Sequence, residues 1–234
     1  MVVIIGVLLD SHEVWAAVPE STRSRKAIAG VVPKLGPELK KRGQPLGAPV
    51  FVRIFRETKE LEIWLKQGRA FELFKIYPIY TFSGALGPKL KEGDRQAPEG
   101  FYYVPSSRLN PNSRFHLSFN LGYPNRYDRA HGRIGSALMV HGSTVSIGCF
   151  AMTDLLIEEI YTIVEAALRN GQKFFRVHIF PFRMTAANMR RYQKSCWIPF
   201  WENLKEGFDF FERTKAPPNV TVRNQRYEFS AASD

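Results

Sequence analysis

The stretch LMVHGSTVSIGCFAMTD, residues 138–154, holds the side chains best suited to chemistry. An apolar run ends at His141, and Cys149 follows eight residues later, directly behind Gly148. A cysteine nucleophile needs a thiolate, a base, donors for an oxyanion and a path for substrate. His141 can serve as general base, because an eight-residue connection is long enough to fold the imidazole back onto sulfur. Gly148 lets the backbone approach closely, so N–H groups around it can face a developing oxyanion. Ser146 can position the loop or hydrogen-bond a substrate. A helix expected just beyond Thr153 would favour the thiolate through its positive end. The same spacing also fits a buried thiol beside an ordinary loop histidine, since free cysteine is among the most buried residue types.

Other chemistries find less support. No GxSxG, HExxH or Walker A motif occurs, and the five histidines, His12, His116, His131, His141 and His178, are scattered, so no metal site is expected. Cys149 and Cys196 are the only cysteines, which excludes a disulfide framework and a CxxC pair. Cys196 lies in an aromatic segment and reads as structural. The 33 Lys and Arg against 22 Asp and Glu give a formal charge of +11, which favours an anionic partner. No nucleic-acid motif accompanies that charge. Part of it is local, in RSRKAIAGVVPKLGPELKKRG, residues 23–43.

The elements that must position these residues can be read from periodicity. Residues 1–17 resemble a degenerate signal peptide, with an apolar run from Val2 to Leu9 but no basic start. Residues 18–48 read as a basic Pro/Gly-rich arm, irregular or loosely helical, and residues 49–230 as the folded domain. VFVRIFRE and ELEIWLK alternate with period two and form a hairpin, followed by a third strand in which Pro78 marks a bend or an edge. FYYVP, FHLSFNLG and ALMVH are further strands, the last delivering His141. Beyond Cys149 the period changes: residues 153–171 form a helix with Thr153 as N-cap and Asn170-Gly171 as its stop. A strand, FFRVHIFPF, a short helix capped by Thr185, an aromatic helical segment broken at Gly207 and a final strand or tail complete the chain. The aromatic residues of that segment, Trp197, Phe200, Trp201 and Phe208 among them, are expected to pack a helix on the sheet. The fold class is therefore α+β, mostly β with helices, in one domain.

HGSTVSIGC, preceded by GDRQAPEGFYYV, resembles the L,D-transpeptidase catalytic domain, also called YkuD-like. SGALGPKLKEGDRQAPEGFY, YPNRYDRAHGRIG, MVHGSTVSIGCFAMT and IFPFRMTAANMRR are similar to the YafK-type branch of murein meso-diaminopimelate–protein amidases. The resemblance runs from about Pro49 to about Tyr227. It implies a mixed β-sandwich or barrel with helices packed on it. It also implies Cys149 as nucleophile, His141 as base, Gly148 as oxyanion-hole backbone and Ser146 as part of the frame. Ile147 stands where ordinary members carry a second histidine, which leaves the orienting partner of His141 open. Arg129, His131, Lys89 and Arg126, with Lys91 and Arg95 nearby, are candidate substrate-binding residues on loops that would border the site. His131 could supply a replacement imidazole, but it reads first as a loop histidine capping a turn. The implied partners are peptidoglycan stem peptides and a murein-bound outer-membrane lipoprotein, with no nucleic acid and no membrane-spanning segment. The implied location is periplasmic, and the chemistry needs no cofactor. The alternatives are an L,D-transpeptidase forming 3–3 cross-links or attaching lipoprotein, and a non-catalytic murein-binding module.

Overall fold

A computed structural model describes residues 17–231. The leader-like segment lies outside the described residues apart from Ala17. Strands β1 (Val50–Phe55), β2 (Glu60–Gln67) and β3 (Ala70–Pro78) form the expected antiparallel meander. Strand β4 (Gly100–Pro105) and the later β9 (Phe174–Phe180) complete a five-stranded sheet of order β3-β2-β1-β9-β4. β1 and β9 run parallel, so β9 closes against the first strand of the meander.

A second sheet carries the candidate chemistry. It is built from β5 (Leu109–Asn110), β6 (Ser118–Asn120), β7 (Met139–His141) and β8 (Phe150–Ala151), in that order. β7 and β8 are parallel, with Val140 opposite Phe150 and His141 opposite Ala151. Helix α3 (Asp154–Arg169) lies against both sheets, and Phe119 meets Phe175 edge-on at 5.2 Å to join them in one core. The chain bends after Pro78, as expected of that residue, and crosses from the first sheet to the second. Thr81 bridges Ala151 there, with the Ala151 N–H donating to the Thr81 carbonyl at 2.9 Å.

β1 is buried along its whole length because both faces of the first sheet are covered. Val50, Val52 and Ile54 face the α3 side, while Phe51 and Phe55 face helix α5 (Ile198–Thr214). Arg53, on the α5 side, is accommodated by Glu62 at 2.8 Å and Glu212 at 2.6 Å. α5 continues unbroken through Gly207, contrary to the expected break. The glycine serves packing: a Cβ there would lie 2.5 Å from Phe229 and 2.6 Å from Phe101. Phe229 belongs to β11 (Arg226–Ser230), which pairs with β10 (Asn219–Arg223) in a hairpin where a strand or tail was expected. Two short helices, α2 (Arg126–Ala130) and α4 (Ala186–Arg191), sit in the connections, the latter capped by Thr185 as expected.

The basic arm needs correction. Helix α1 (Thr22–Lys41) occupies it, opened by a capping box between Ser21 and Ser24. Ala27, Leu35 and Leu39 enter the main core, and the helix packs on α3. The folded unit therefore extends to the N-terminal side of Pro49. Pro33 and Pro37 would ordinarily interrupt a helix, since each removes a backbone donor. Their spacing of four puts both on one exposed face, so the carbonyls they leave unpaired are met by solvent. Among the described residues, no helix is long and apolar enough to cross a membrane.

Candidate active site

β7 and β8 position the candidate pair. Val140 and Phe150 point into the core, and alternation sends Met139, His141 and Ala151 to the opposite face. Cys149 lies in the bend immediately before β8, next to the Met139 end of the strand that carries His141. Two backbone contacts hold the sulfur: the Met139 N–H donates to Sγ at 3.4 Å, and the thiol faces the Ala137 carbonyl at 3.5 Å.

His141 is buried, with its ring packed at 4.7 Å from that of Phe115. Its Nδ1 lies 2.6 Å from the Gly142 carbonyl, and a carbonyl can only accept. Nδ1 therefore carries the proton, and the lone pair is on Nε2, which has no hydrogen-bond partner among the described residues. Burial pushes the pKa of His141 down, partly opposed by the Gly142 bond, so the neutral base predominates near pH 7. The orienting partner left open by Ile147 is thus a backbone carbonyl, which no side-chain motif could disclose. Gly142 itself has no room for a Cβ, which would lie 2.6 Å from Asp154 Oδ1 and 2.9 Å from the Phe115 carbonyl.

Burial also pushes the Cys149 thiol up, only partly offset by the Met139 N–H and the charge of Lys89. Burial thus favours the neutral thiol, in place of the helix-stabilised thiolate expected from the sequence. Thr153 stands before α3 at a φ of 74° and makes no side-chain cap, so its expected capping role is also corrected. The Asp154 carboxylate instead accepts the Ser143 N–H at 2.7 Å.

The nucleophile loop is held from two sides. The Ser146 hydroxyl donates to the Cys149 carbonyl at 2.6 Å, and the Ser83 hydroxyl accepts the Gly148 N–H at 2.7 Å. Ser83 also donates to the Arg95 carbonyl at 2.6 Å, an anchor that sequence reasoning missed. Gly148 has a φ of 90°, which favours glycine. Its N–H is committed to Ser83, so the backbone donor left for an oxyanion is that of Cys149, which no acceptor among the described residues takes. Val145 and Ile147 are 59% and 74% exposed, an open apolar lip on the loop that leads into Cys149.

The other predicted residues fall into distinct surroundings. Lys89 is buried, with its Nζ 2.5 Å from Asp94 and 2.9 Å from the Lys91 carbonyl. His131 closes α2, bonding the Tyr127 carbonyl at 3.0 Å and stacking on its ring at 4.1 Å. Arg126 and Arg129 border a depression of about 300 Å³. Arg129 also borders a larger one of about 640 Å³ that extends to Ala137 and Met139, the residues touching the sulfur. Arg108, which the sequence did not single out, lines both. Cys196 is exposed, and no group of residues among those described could hold a metal ion.

The L,D-transpeptidase catalytic domain family, YkuD, matches residues 51–179. The chain belongs to this family. It is 49% identical over 187 residues to the "Putative L,D-transpeptidase YafK" of Escherichia coli strain K12, covering 80% of this chain and 76% of that protein, and equally to its counterpart in E. coli O157:H7. Among solved structures, the helical cell shape determining protein Pgp2 of Campylobacter jejuni is 17% identical, with a TM-score of 0.45 over 80% of this chain and 79% of that one. Bd1075 of Bdellovibrio bacteriovorus is 16% identical, with a TM-score of 0.41 over 78% of this chain and 82% of that one. Family membership carries cysteine-dependent, L,D-transpeptidase-type catalysis connected with peptidoglycan.

Proposed function

We propose that this chain is a periplasmic murein amidase acting at meso-diaminopimelate, with Cys149 as nucleophile and His141 as base. The observation that carries the reading is the locked imidazole: the Gly142 carbonyl fixes the Nδ1 proton and leaves Nε2 unpaired among the described residues, while the Cys149 sulfur sits at the Met139 N–H, two residues along the same strand. Nε2 takes the thiol proton as Sγ attacks the amide carbonyl of diaminopimelate. The Cys149 N–H donates to the oxyanion, and Ser146 and Ser83 hold the loop that aims it. The imidazolium then passes its proton to the leaving amine, and the C–N bond breaks to give a thioester. Water, deprotonated by Nε2, attacks the thioester; the C–S bond breaks and the sulfur regains the proton. The open lip at Val145 and Ile147 supports entry of that water.

The resemblance to the YafK-type branch, together with the 49% identity to the E. coli relative, supports the lysine side chain of a murein-bound outer-membrane lipoprotein as leaving amine. The name of that relative favours a second reading, in which another amine resolves the thioester and a cross-link forms. Incubation with sacculi carrying bound lipoprotein separates them. Released lipoprotein, absent with Cys149→Ala, is expected. New 3–3 dimers without release would favour the transpeptidase, and sacculus binding without any product would leave a binding module.

A further inference from the structure

Two arginines that meet no carboxylate among the described residues line the depression that reaches Ala137 and Met139. Arg108 follows β4 in a single 3-10 turn, Ser106–Arg108, and Arg129 lies in α2. Each guanidinium is tethered by one nitrogen to a backbone carbonyl of the segment between β6 and α2. Arg108 Nη1 donates to the Leu121 carbonyl at 3.3 Å and, more closely, to that of Tyr103. Arg129 Nη1 donates to the Pro124 carbonyl. Gly122 lies beneath the first guanidinium at a φ of 80°, and a Cβ there would overlap Arg108 Nη1 at 1.9 Å. The backbone is thus shaped to seat this arginine.

Four other buried or half-buried arginines are neutralised, whereas Arg176 meets the Asn219 side-chain oxygen. Arg53, Arg56, Arg133 and Arg183 each meet a Glu or Asp within 3.0 Å. Neither Arg108 nor Arg129 has an acidic partner among the described residues. Burial and the neighbouring charge of Arg129 both push the Arg108 pKa down, the signature of two like charges close together with no counter-ion. Such a pair, each keeping a free edge of its planar fork, matches the two oxygens of a carboxylate.

We propose that Arg108 and Arg129 form a seat for a free carboxylate of the peptide substrate, holding it in the depression that reaches Ala137 and Met139, the residues in contact with the Cys149 sulfur. This rests on the reading of Cys149 as an acylating nucleophile on a murein peptide, and it names what positions that peptide. Three carboxylates share the required chemistry. Two belong to the stem peptide, on the distal centre of diaminopimelate and on D-glutamate; the third is the C-terminal carboxylate of the leaving lysine. Lys89, committed to Asp94, is outside the seat.

The test measures equilibrium binding to full-length Cys149→Ala protein, so that it needs no turnover. The probe is L-Ala-γ-D-Glu-meso-diaminopimelate joined to the side chain of a C-terminal lysine, as the free acid and with each carboxylate amidated in turn. The free acid is expected to bind about tenfold to a hundredfold more tightly than one of the amides, and that amide identifies the source. Adding Arg108→Gln or Arg129→Gln should erase that preference, and Arg108→Lys should restore only part of it. The exposed Arg129→Gln protein keeps the test open if loss of Arg108 disturbs folding. Equal binding of all four probes, or a preference unchanged in both glutamine variants, overturns the seat. A preference lost in the variants, with no lipoprotein released by the parent enzyme, would retain the seat while refuting the amidase.

Discussion

The Cys149 sulfur accepts the Met139 N–H at 3.4 Å, at the first residue of the strand that ends in His141. Because the Gly142 carbonyl already holds Nδ1–H, the basic atom that His141 can offer is Nε2. His141→Gln removes that base while nearly preserving volume. Turnover is expected to fall by roughly 10²- to 10⁴-fold with the unfolding midpoint little changed, measured by lipoprotein release and by denaturant titration. A loss below threefold would mean that another group accepts the thiol proton.

The same geometry sets the pH response. Burial pushes His141 below its ordinary value, so the base stays neutral until the solution is more acidic than about pH 6.5. Activity should fall as pH drops through a midpoint below that value. Burial pushes the Cys149 thiol upward, so alkylation of the free enzyme by iodoacetamide should titrate above the ordinary cysteine value. Rapid alkylation with a midpoint below pH 7 would show a preformed thiolate and contradict this account. Cys196→Ala protein isolates the signal, since Cys196 is exposed.

How much of this was legible follows from what kind of signal each residue gives. The meander and α3 were readable because Val52, Ile54, Ile157, Ile160 and Val164 repeat with the period of their element. The nucleophile and base were suggested by type and spacing, and made specific by family resemblance. The long-range arrangements were not readable. The pairing of Gly148 with Ser83 spans 65 residues, and the bond that orients His141 goes to a main-chain carbonyl. Arg108 looked like any loop arginine until the fold placed it beside Arg129. α1 was obscured because Pro33 and Pro37 are strong interruption signals unless both face solvent.

His178 supplies a prediction about stability. It lies between Phe51 at 4.6 Å and Phe101 at 4.7 Å, and neither ring nitrogen has a partner. Burial, with Arg176 and Arg53, pushes its pKa well down. The folded chain therefore excludes a proton that the unfolded chain takes up near pH 6.5. Stability must be fully present above that pH and decline below it, by up to about 1.4 kcal/mol per unit for one group. His178→Phe should make this decline shallower, with the buried His141 supplying the remainder. Urea midpoints at pH 8 and pH 5 measure it; an unchanged difference would show that His178 is protonated in the fold.

The buried Arg56–Glu99 pair supports the active-site loops from below. Glu99 Oε1 meets Arg56 at 2.7 Å and the Gly87 N–H at 2.7 Å, while its other oxygen accepts Trp201 Nε1 at 2.8 Å. Arg56 also donates to the Ala85 and Gly87 carbonyls, fixing the loop that Gln96 ties down beside Gly148. Glu99→Gln keeps the shape but leaves Arg56 an unpaired buried charge. The expected loss is roughly 3–5 kcal/mol by chemical denaturation. A loss under about 1 kcal/mol would mean that water reaches Arg56 and the loop is not pinned by this pair.

The central claim is that Cys149 becomes acylated by the diaminopimelyl carbonyl and that water removes the acyl group. Intact-protein and peptide mass spectrometry, on enzyme rapidly quenched in acid during turnover of lipoprotein-bearing muropeptide, tests it most directly. A stem-peptide adduct on the peptide containing Cys149, decaying to a product with a free diaminopimelate carboxylate and never forming on Cys149→Ala, is the predicted result. Turnover that persists in Cys149→Ala, or an adduct confined to Cys196, would contradict it.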